Sequence, residues 1–171
     1  MQYFQIIFSI LFIISVLSFF SLAPRHPTAK KDLKRINDVI KFNAWENFLE
    51  MWCWTWLVWI YLAKNNPKVN FTLIELSPFF YIIAKYNIKK SWLGNIKIKC
   101  WNALKLDLEK FDVIYVFWLP ETITQKIFPK LAQIKNKNFR FISYCFKMTN
   151  NYFTETKHKL EKRSSIYEYK L

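Results

Sequence analysis

The segment Phe48-Leu49-Glu50-Met51-Trp52-Cys53-Trp54-Thr55-Trp56-Leu57-Val58-Trp59 constrains this chain more than any other stretch. Its tryptophans stand at 52, 54, 56 and 59, and no amphipathic helix or strand needs that spacing. With glycine in their place the segment reads F-L-E-M-G-C-G-T-G-L-V-G. That is an acidic residue closing an apolar strand, a G-x-G-x-G turn, and the start of a helix. Composition favours the substitution independently. The 171 residues hold one glycine and eight tryptophans, whereas an ordinary chain of this length carries roughly a dozen glycines. The other tryptophans also sit in turn contexts. Trp45 precedes a strand in Asn43-Ala44-Trp45-Glu46, and Trp92 lies in the loop Ser91-Trp92-Leu93-Gly94-Asn95. Trp101 and Trp118 follow strand-like runs. The expectation is that all eight positions are encoded by UGA, which some bacterial lineages read as glycine and another variant code reads as tryptophan. A chain genuinely rich in tryptophan is the alternative.

Around this segment the pattern alternates between strand and helix. Strands are predicted over Phe48–Met51, Val69–Leu76, Ile96–Cys100, Phe111–Leu119, Phe139–Cys145 and Ser165–Tyr169. The run Phe111–Leu119 is nearly all apolar, as a central parallel strand buried on both faces would be. Helices are predicted over Trp56–Lys64, Pro78–Ile88, Thr122–Ile134 and Thr154–Lys162, with Glu121 or Thr122 capping the third. Strands alternating with helices of this length imply an α/β fold, Rossmann-like and doubly wound, with a mostly parallel sheet.

Ahead of this body, Tyr3 to Ala23 run without a charge, about the length of a membrane span. Pro24, the absence of a basic start and the length of the apolar run favour an uncleaved anchor over a signal peptide. Arg25, Lys30, Lys31, Lys34 and Arg35 follow the run and no Lys or Arg precedes it, which puts the body in the cytoplasm. The chain thus divides into an anchor over 1–23, a basic linker and helix over 24–46, and the α/β domain over 47–171. Within the linker, Leu33, Ile36, Val39 and Ile40 share one helix face, with Thr28 as the expected cap. A net charge of +14 suggests an anionic partner, either a lipid surface or nucleic acid, although A/T-rich codon usage also inflates lysine. Cys53, Cys100 and Cys145 form no metal-ligand pair, so no metal site is expected.

Ligands of open parallel sheets bind outside the carboxyl ends of the strands, and the marked residues fall there. Glycines in the 50–56 turn would let the backbone approach a ligand, and the helix after it would offer N–H groups to a carboxylate. Glu75, about 20 residues on, suits a ribose diol. The turn resembles motif I of the class I S-adenosylmethionine-dependent methyltransferases rather than the dinucleotide G-x-G-x-x-G. Together with Pro24-Arg-His-Pro-Thr28, Ile74-Glu75-Leu76-Ser77-Pro78, Val116-Phe117-Trp118-Leu119-Pro120 and Phe141-Ile142-Ser143-Tyr144, it is similar to a family of small membrane-anchored methyltransferases, over about residues 24–145. Eukaryotic members of that family methylate lysines of mitochondrial membrane proteins. The resemblance implies S-adenosyl-L-methionine as cofactor, held by Glu50, Trp52, Cys53, Trp54, Trp56, Glu75, Leu76, Asn102 and Ala103. Asn102 stands where the family often has an adenine-binding Asp. It implies an acceptor side formed by Trp118, Leu119, Pro120 and Glu121, and a protein lysine as acceptor. Lipid or small-molecule methylation is one alternative. An inactive membrane-tethered module is the other, since tryptophans at 52, 54 and 56 would fill the cofactor space.

Overall fold

The computed structural model describes residues 2–19, 32–53, 56–149, 151–160 and 163–171. Helix α1 (Gln2–Phe19) comes first, then α2 (Leu33–Ile40), β1 (Asn47–Glu50), α3 (Trp56–Asn65), β2 (Asn70–Glu75), α4 (Pro78–Lys90) and β3 (Ile96–Cys100). Two short 3-10 turns, Ala103–Lys105 and Leu108–Lys110, lead to β4 (Val113–Val116). The chain continues through α5 (Pro120–Thr122), a π turn (Ile123–Ile127) and α6 (Phe128–Leu131) to β5 (Arg140–Tyr144), β6 (Thr154–His158) and β7 (Ile166–Lys170).

The seven strands form one sheet in the order β3-β2-β1-β4-β5-β7-β6. β1 to β5 are parallel, and β7 runs antiparallel between β5 and β6. The dinucleotide-binding order 3-2-1-4-5-6 has no such reversed insertion. The chain winds one way from β1 to β3 and the other way from β4 to β5, so the switch point lies between β1 and β4. Right-handed crossovers therefore put α3 and α4 on one face and α5–α6 on the other. Two cores match this arrangement. Ile36, Ile40, Phe48, Trp59, Leu62, Phe71, Ala84 and Ile88 pack under α2, α3 and α4. Leu49, Ile114, Val116, Ile123, Ile127, Leu131 and Phe141 pack under α5–α6. Alternate residues of β1, Phe48 and Leu49, serve opposite cores, as the two-residue side-chain period requires.

Local chemistry explains most of the boundaries. Ser77 caps α4 by accepting the Phe80 N–H at 3.4 Å, with Pro78 at the first helical position. Lys41 ends α2 with φ 46°, its N–H bonded to Asn37 O.

Three expectations are corrected. The stretch 154–158 does not begin a helix over 154–162: Thr154–His158 is the edge strand β6, paired along its length with β7. Its two threonines suit a strand, and tertiary pairing outweighs the helix propensity of Glu and Lys. The third helix begins at Pro120 rather than Thr122, with Leu119 at the cap, so neither Glu121 nor Thr122 caps it. It is also interrupted. Pro129 has no N–H to give the carbonyl four residues back, and the ladder slips into the π turn just before it. β4 spans only Val113–Val116 of the run 111–119, because its neighbours' register ends at Glu50↔Tyr115 and Val116↔Ser143. Finally, α2 starts at Leu33 with Asp32 at the cap position, and Thr28, the expected cap, lies outside the described residues.

α1 is an uncharged helix of 18 residues. It meets the body where Phe8 and Phe12 stand edge-on to Phe79 of α4, with ring centroids 6.0 and 6.4 Å apart. Tyr3, Ile7, Ile10 and Ile13 are exposed. Among the described residues no helix is long and apolar enough to cross a membrane. The run expected to span ends at Ala23, and residues 20–31, with most of the basic flank, lie outside the described residues.

Candidate cofactor site

Each of the first three strands ends on a residue at the same edge of the sheet. β1 ends at Glu50, β2 at Glu75 and β3 at Cys100, just before Asn102. The register aligns them, with Glu50 opposite Leu73 and Glu75 opposite Cys100. The turn after β1 leans onto β2, since the Cys53 N–H bonds Ile74 O at 3.1 Å. The loop after β3 does likewise, with the Trp101 N–H on Glu75 O at 3.1 Å. Glu50, Cys53, Glu75 and Asn102 are thus brought together at the carboxyl edge beside the switch point.

The two carboxyls are buried and half satisfied. Glu75 is 0% exposed. Its Oε1 accepts the Ser77 N–H at 2.8 Å, while its Oε2 has no partner among the described residues. Burial pushes its pKa up to about 7, against the pull of the Ser77 and Leu76 amides. Glu50 is also buried, its Oε2 also lacks a partner, and burial raises its pKa well above the carboxylate range, with Glu75 adding to the effect. The Cys53 thiol is raised by burial first and then by the two glutamates. A buried polar atom without a partner is costly. Two such oxygens at one strand edge are acceptors waiting for donors.

The remaining predicted residues divide. Leu76 is half-buried. Asn102 Oδ1 accepts the Leu104 N–H at 2.9 Å and starts a 3-10 turn, so one of its lone pairs is already used. Ala103 is buried in the core under α5–α6. Trp52 is half-buried and stands edge-on to the buried Trp118, with centroids 6.3 Å apart, so indoles fill the space between the ends of β1 and β4. Trp54 lies outside the described residues, and Trp56 opens α3. Leu119, Pro120 and Glu121 are exposed beyond β4, and Gln125 donates to Glu121 Oε1 at 3.2 Å. No group of residues that could hold a metal occurs among the described residues.

One cluster near this edge escaped the sequence reading. Tyr144 ends β5, and its hydroxyl donates to Asp32 Oδ2 at 2.7 Å. Asp32, also buried, accepts from Arg163 at 3.1 Å and pairs with Arg35 at 3.5 Å. Burial, then the Asp32 bond, pushes the Tyr144 pKa up to about 12. The contact joins residues 112 positions apart, and no local pattern signals it. The sizeable hollow of about 670 Å³ lined by Glu46, Asp112, Lys137 and Arg140 lies at the opposite, amino edge of the parallel strands. The buried Arg140–Glu46 pair forms part of its wall. The unsatisfied acids lie at the carboxyl edge instead.

No family model matches the chain, and no characterised protein matches it in sequence. Solved structures do match in fold. An RNA methyltransferase from Salinibacter ruber, in complex with S-adenosyl-L-homocysteine, superposes with a TM-score of 0.74 at 18% identity, covering 85% of this chain and 93% of that one. A SAM-dependent O-methyltransferase from Thermotoga maritima gives 0.62 at 13% identity, covering 86% and 68%. Precorrin-6y C5,15-methyltransferase from Geobacter metallireducens gives 0.62 at 11%, covering 88% and 92%. At such identities the likeness is one of architecture: this chain has the Rossmann-like α/β fold of the SAM-dependent methyltransferases.

Proposed function

We propose that the protein is a SAM-dependent methyltransferase tethered to the cell membrane, with its catalytic domain in the cytoplasm, and that it methylates lysine on a membrane-associated protein. The observation that carries the cofactor is the pair of unsatisfied buried oxygens on Glu50 and Glu75, at adjacent strand ends beside the switch point. Glu75 Oε2 accepts from the ribose diol while its Oε1 stays on the Ser77 amide. The first N–H groups of α3 face the cofactor's carboxylate. Bound S-adenosyl-L-methionine supplies an activated methyl on a sulfonium leaving group. What remains for the chain is to place the acceptor nitrogen in line with that methyl and to exclude water. A lysine must arrive deprotonated, which burial at the site favours.

Membrane tethering is supported by the uncharged α1, which leaves large apolar side chains exposed, and by its contact with the first turn of α4, immediately after Glu75. That contact brings the apolar helix beside the cofactor edge. We further propose that the tryptophan positions carry glycine in the native protein. Trp45 and Trp92 adopt φ 71° and 58°, and both are exposed. Trp59 and Trp118 are buried with indole N–H groups that lack partners, whereas a buried indole ordinarily finds one. Glycine at 52 and 118 would empty the space their indoles share.

The test is SAM binding by the native protein, with peptide masses read across residues 42–64, followed by transfer of labelled methyl to membrane-protein or lipid extracts. Binding with label in protein lysine is expected. Label in the lipid extract replaces the acceptor class. Absence of SAM binding with tryptophan present at 52, 54 and 56 leaves an inactive tethered module.

A further inference from the structure

The distribution of charge along one edge of the sheet is uneven. From Met51 to Leu106 the chain has a single acidic residue, Glu75, and it is fully buried. The exposed charge of α4, β3 and the following turn is therefore wholly positive. Lys85, Lys89 and Lys90 lie on α4, Lys97 and Lys99 on the edge strand β3, and Lys105 in the 3-10 turn, and all six are exposed. None pairs with a carboxylate among the described residues, and Lys85 instead sits over the Tyr81 ring at 5.4 Å. Codon bias raises lysine throughout the chain but does not remove its partners. In the comparably basic stretch 122–154, Arg140 pairs with Glu46 and Lys147 with Glu155, while Lys126, Lys130, Lys135 and Lys137 pair with no carboxylate among the described residues.

The same edge carries exposed apolar groups. Ile82 and Tyr86 of α4 are exposed between the lysines, and Phe79 at the head of α4 holds α1. A nucleic acid would use the charge but leave the uncharged helix and Ile82 in water. An anionic lipid surface uses both, taking apolar side chains into the acyl boundary and lysines among the headgroups. We infer that the α4–β3 edge is a docking surface for anionic membrane lipid, so that the body lies with this edge on the bilayer while the cofactor edge faces along it. This inference rests on the membrane reading above and adds a second contact, one that fixes orientation.

The test is lysine footprinting of the full chain, reconstituted in vesicles of phosphatidylcholine alone or with phosphatidylglycerol added. Acylation of each lysine is read by mass spectrometry, and flotation is measured in parallel. The expected result is flotation with both compositions, with Lys85, Lys89, Lys90, Lys97, Lys99 and Lys105 shielded only when phosphatidylglycerol is present. Lys126, Lys130 and Lys135, on the segment between β4 and β5 and away from this edge, stay labelled. Each lysine near such a surface contributes about a fivefold factor. The Lys97→Glu/Lys99→Glu variant should therefore lose more than an order of magnitude of shielding at Lys89 and Lys90 while still floating. Flotation with equal labelling in both compositions overturns this inference alone. Equal shielding of Lys126, Lys130 and Lys135 overturns it too, as general attraction to a basic chain. Shielding by single-stranded RNA and not by vesicles replaces lipid with nucleic acid. Failure to float with either composition removes the membrane reading itself, and this inference with it.

Discussion

Replacing Glu75 with glutamine should stabilise the cofactor-free protein above neutral pH while weakening cofactor binding. The carboxyl titrates near 4.5 in the unfolded chain and at about 7 in the folded one. It therefore holds its proton roughly 300-fold more tightly when folded, a difference of ~3 kcal/mol. The sign follows from proton counts. Between these pKa values the folded state binds more protons than the unfolded state, so stability falls as pH rises from about 4.5 to about 7 and then levels off. Glutamine keeps the Oε1 acceptor for the Ser77 amide and cannot ionise. Above pH 7 Glu75→Gln should thus be more stable than the parent by up to ~3 kcal/mol, and equal to it near pH 4.5. Glu50 is raised in the same direction, so a weaker pH slope should survive in the variant. SAM binding should behave oppositely. Loss of a hydrogen bond to a charged acceptor costs ~1.5–3 kcal/mol, roughly 10- to 150-fold in affinity. Urea unfolding followed by circular dichroism in detergent micelles, at a series of pH values, reads the first effect, and equilibrium dialysis of SAM reads the second. A parent stability that is flat from pH 5 to 8, or a Glu75→Gln variant less stable than the parent at about pH 8, would refute the reasoning.

Other substitutions test separate parts of the structure. Trp45→Gly and Trp92→Gly should each raise stability by ~1 kcal/mol by removing a left-handed side-chain conformation; thermal melts of the two variants decide. Tyr144→Phe should cost about 1 kcal/mol in denaturant melts, by removing the hydroxyl bonded to Asp32. Asp32→Ala should cost more, ~3 kcal/mol, because it strips a buried acceptor from Arg35, Tyr144 and Arg163 together. Arg140→Lys should lose ~2 kcal/mol in the same assay, since a lysine cannot hold both Glu46 oxygens and the Ile40 carbonyl at once.

The site acids were legible because their placement is decided locally. Glu50 and Glu75 each close an apolar run that forms a strand, and parallel pairing lines those ends up on one edge. The same logic located α4 from Ser77-Pro78, since cap and first-turn proline act within one helical turn. Features that depend on which distant segment arrives were not legible. The stretch 154–158 is polar and compatible with a helix on its own; β7 alone makes it a strand, and β7 is reached only after the chain has turned back. Asp32 has the sequence context of a helix cap, yet its side chain makes no cap bond and is engaged by Tyr144 and Arg163 instead. Trp52 and Trp118 are each explicable as turn residues, but their meeting edge-on follows from β1 and β4 being neighbours at the switch point. Sequence spacing thus marks where the buried acids stand, while the state of the space beside them is settled by strand order. Residues 52 and 118 face each other across that boundary, and together they determine whether that space is filled or open.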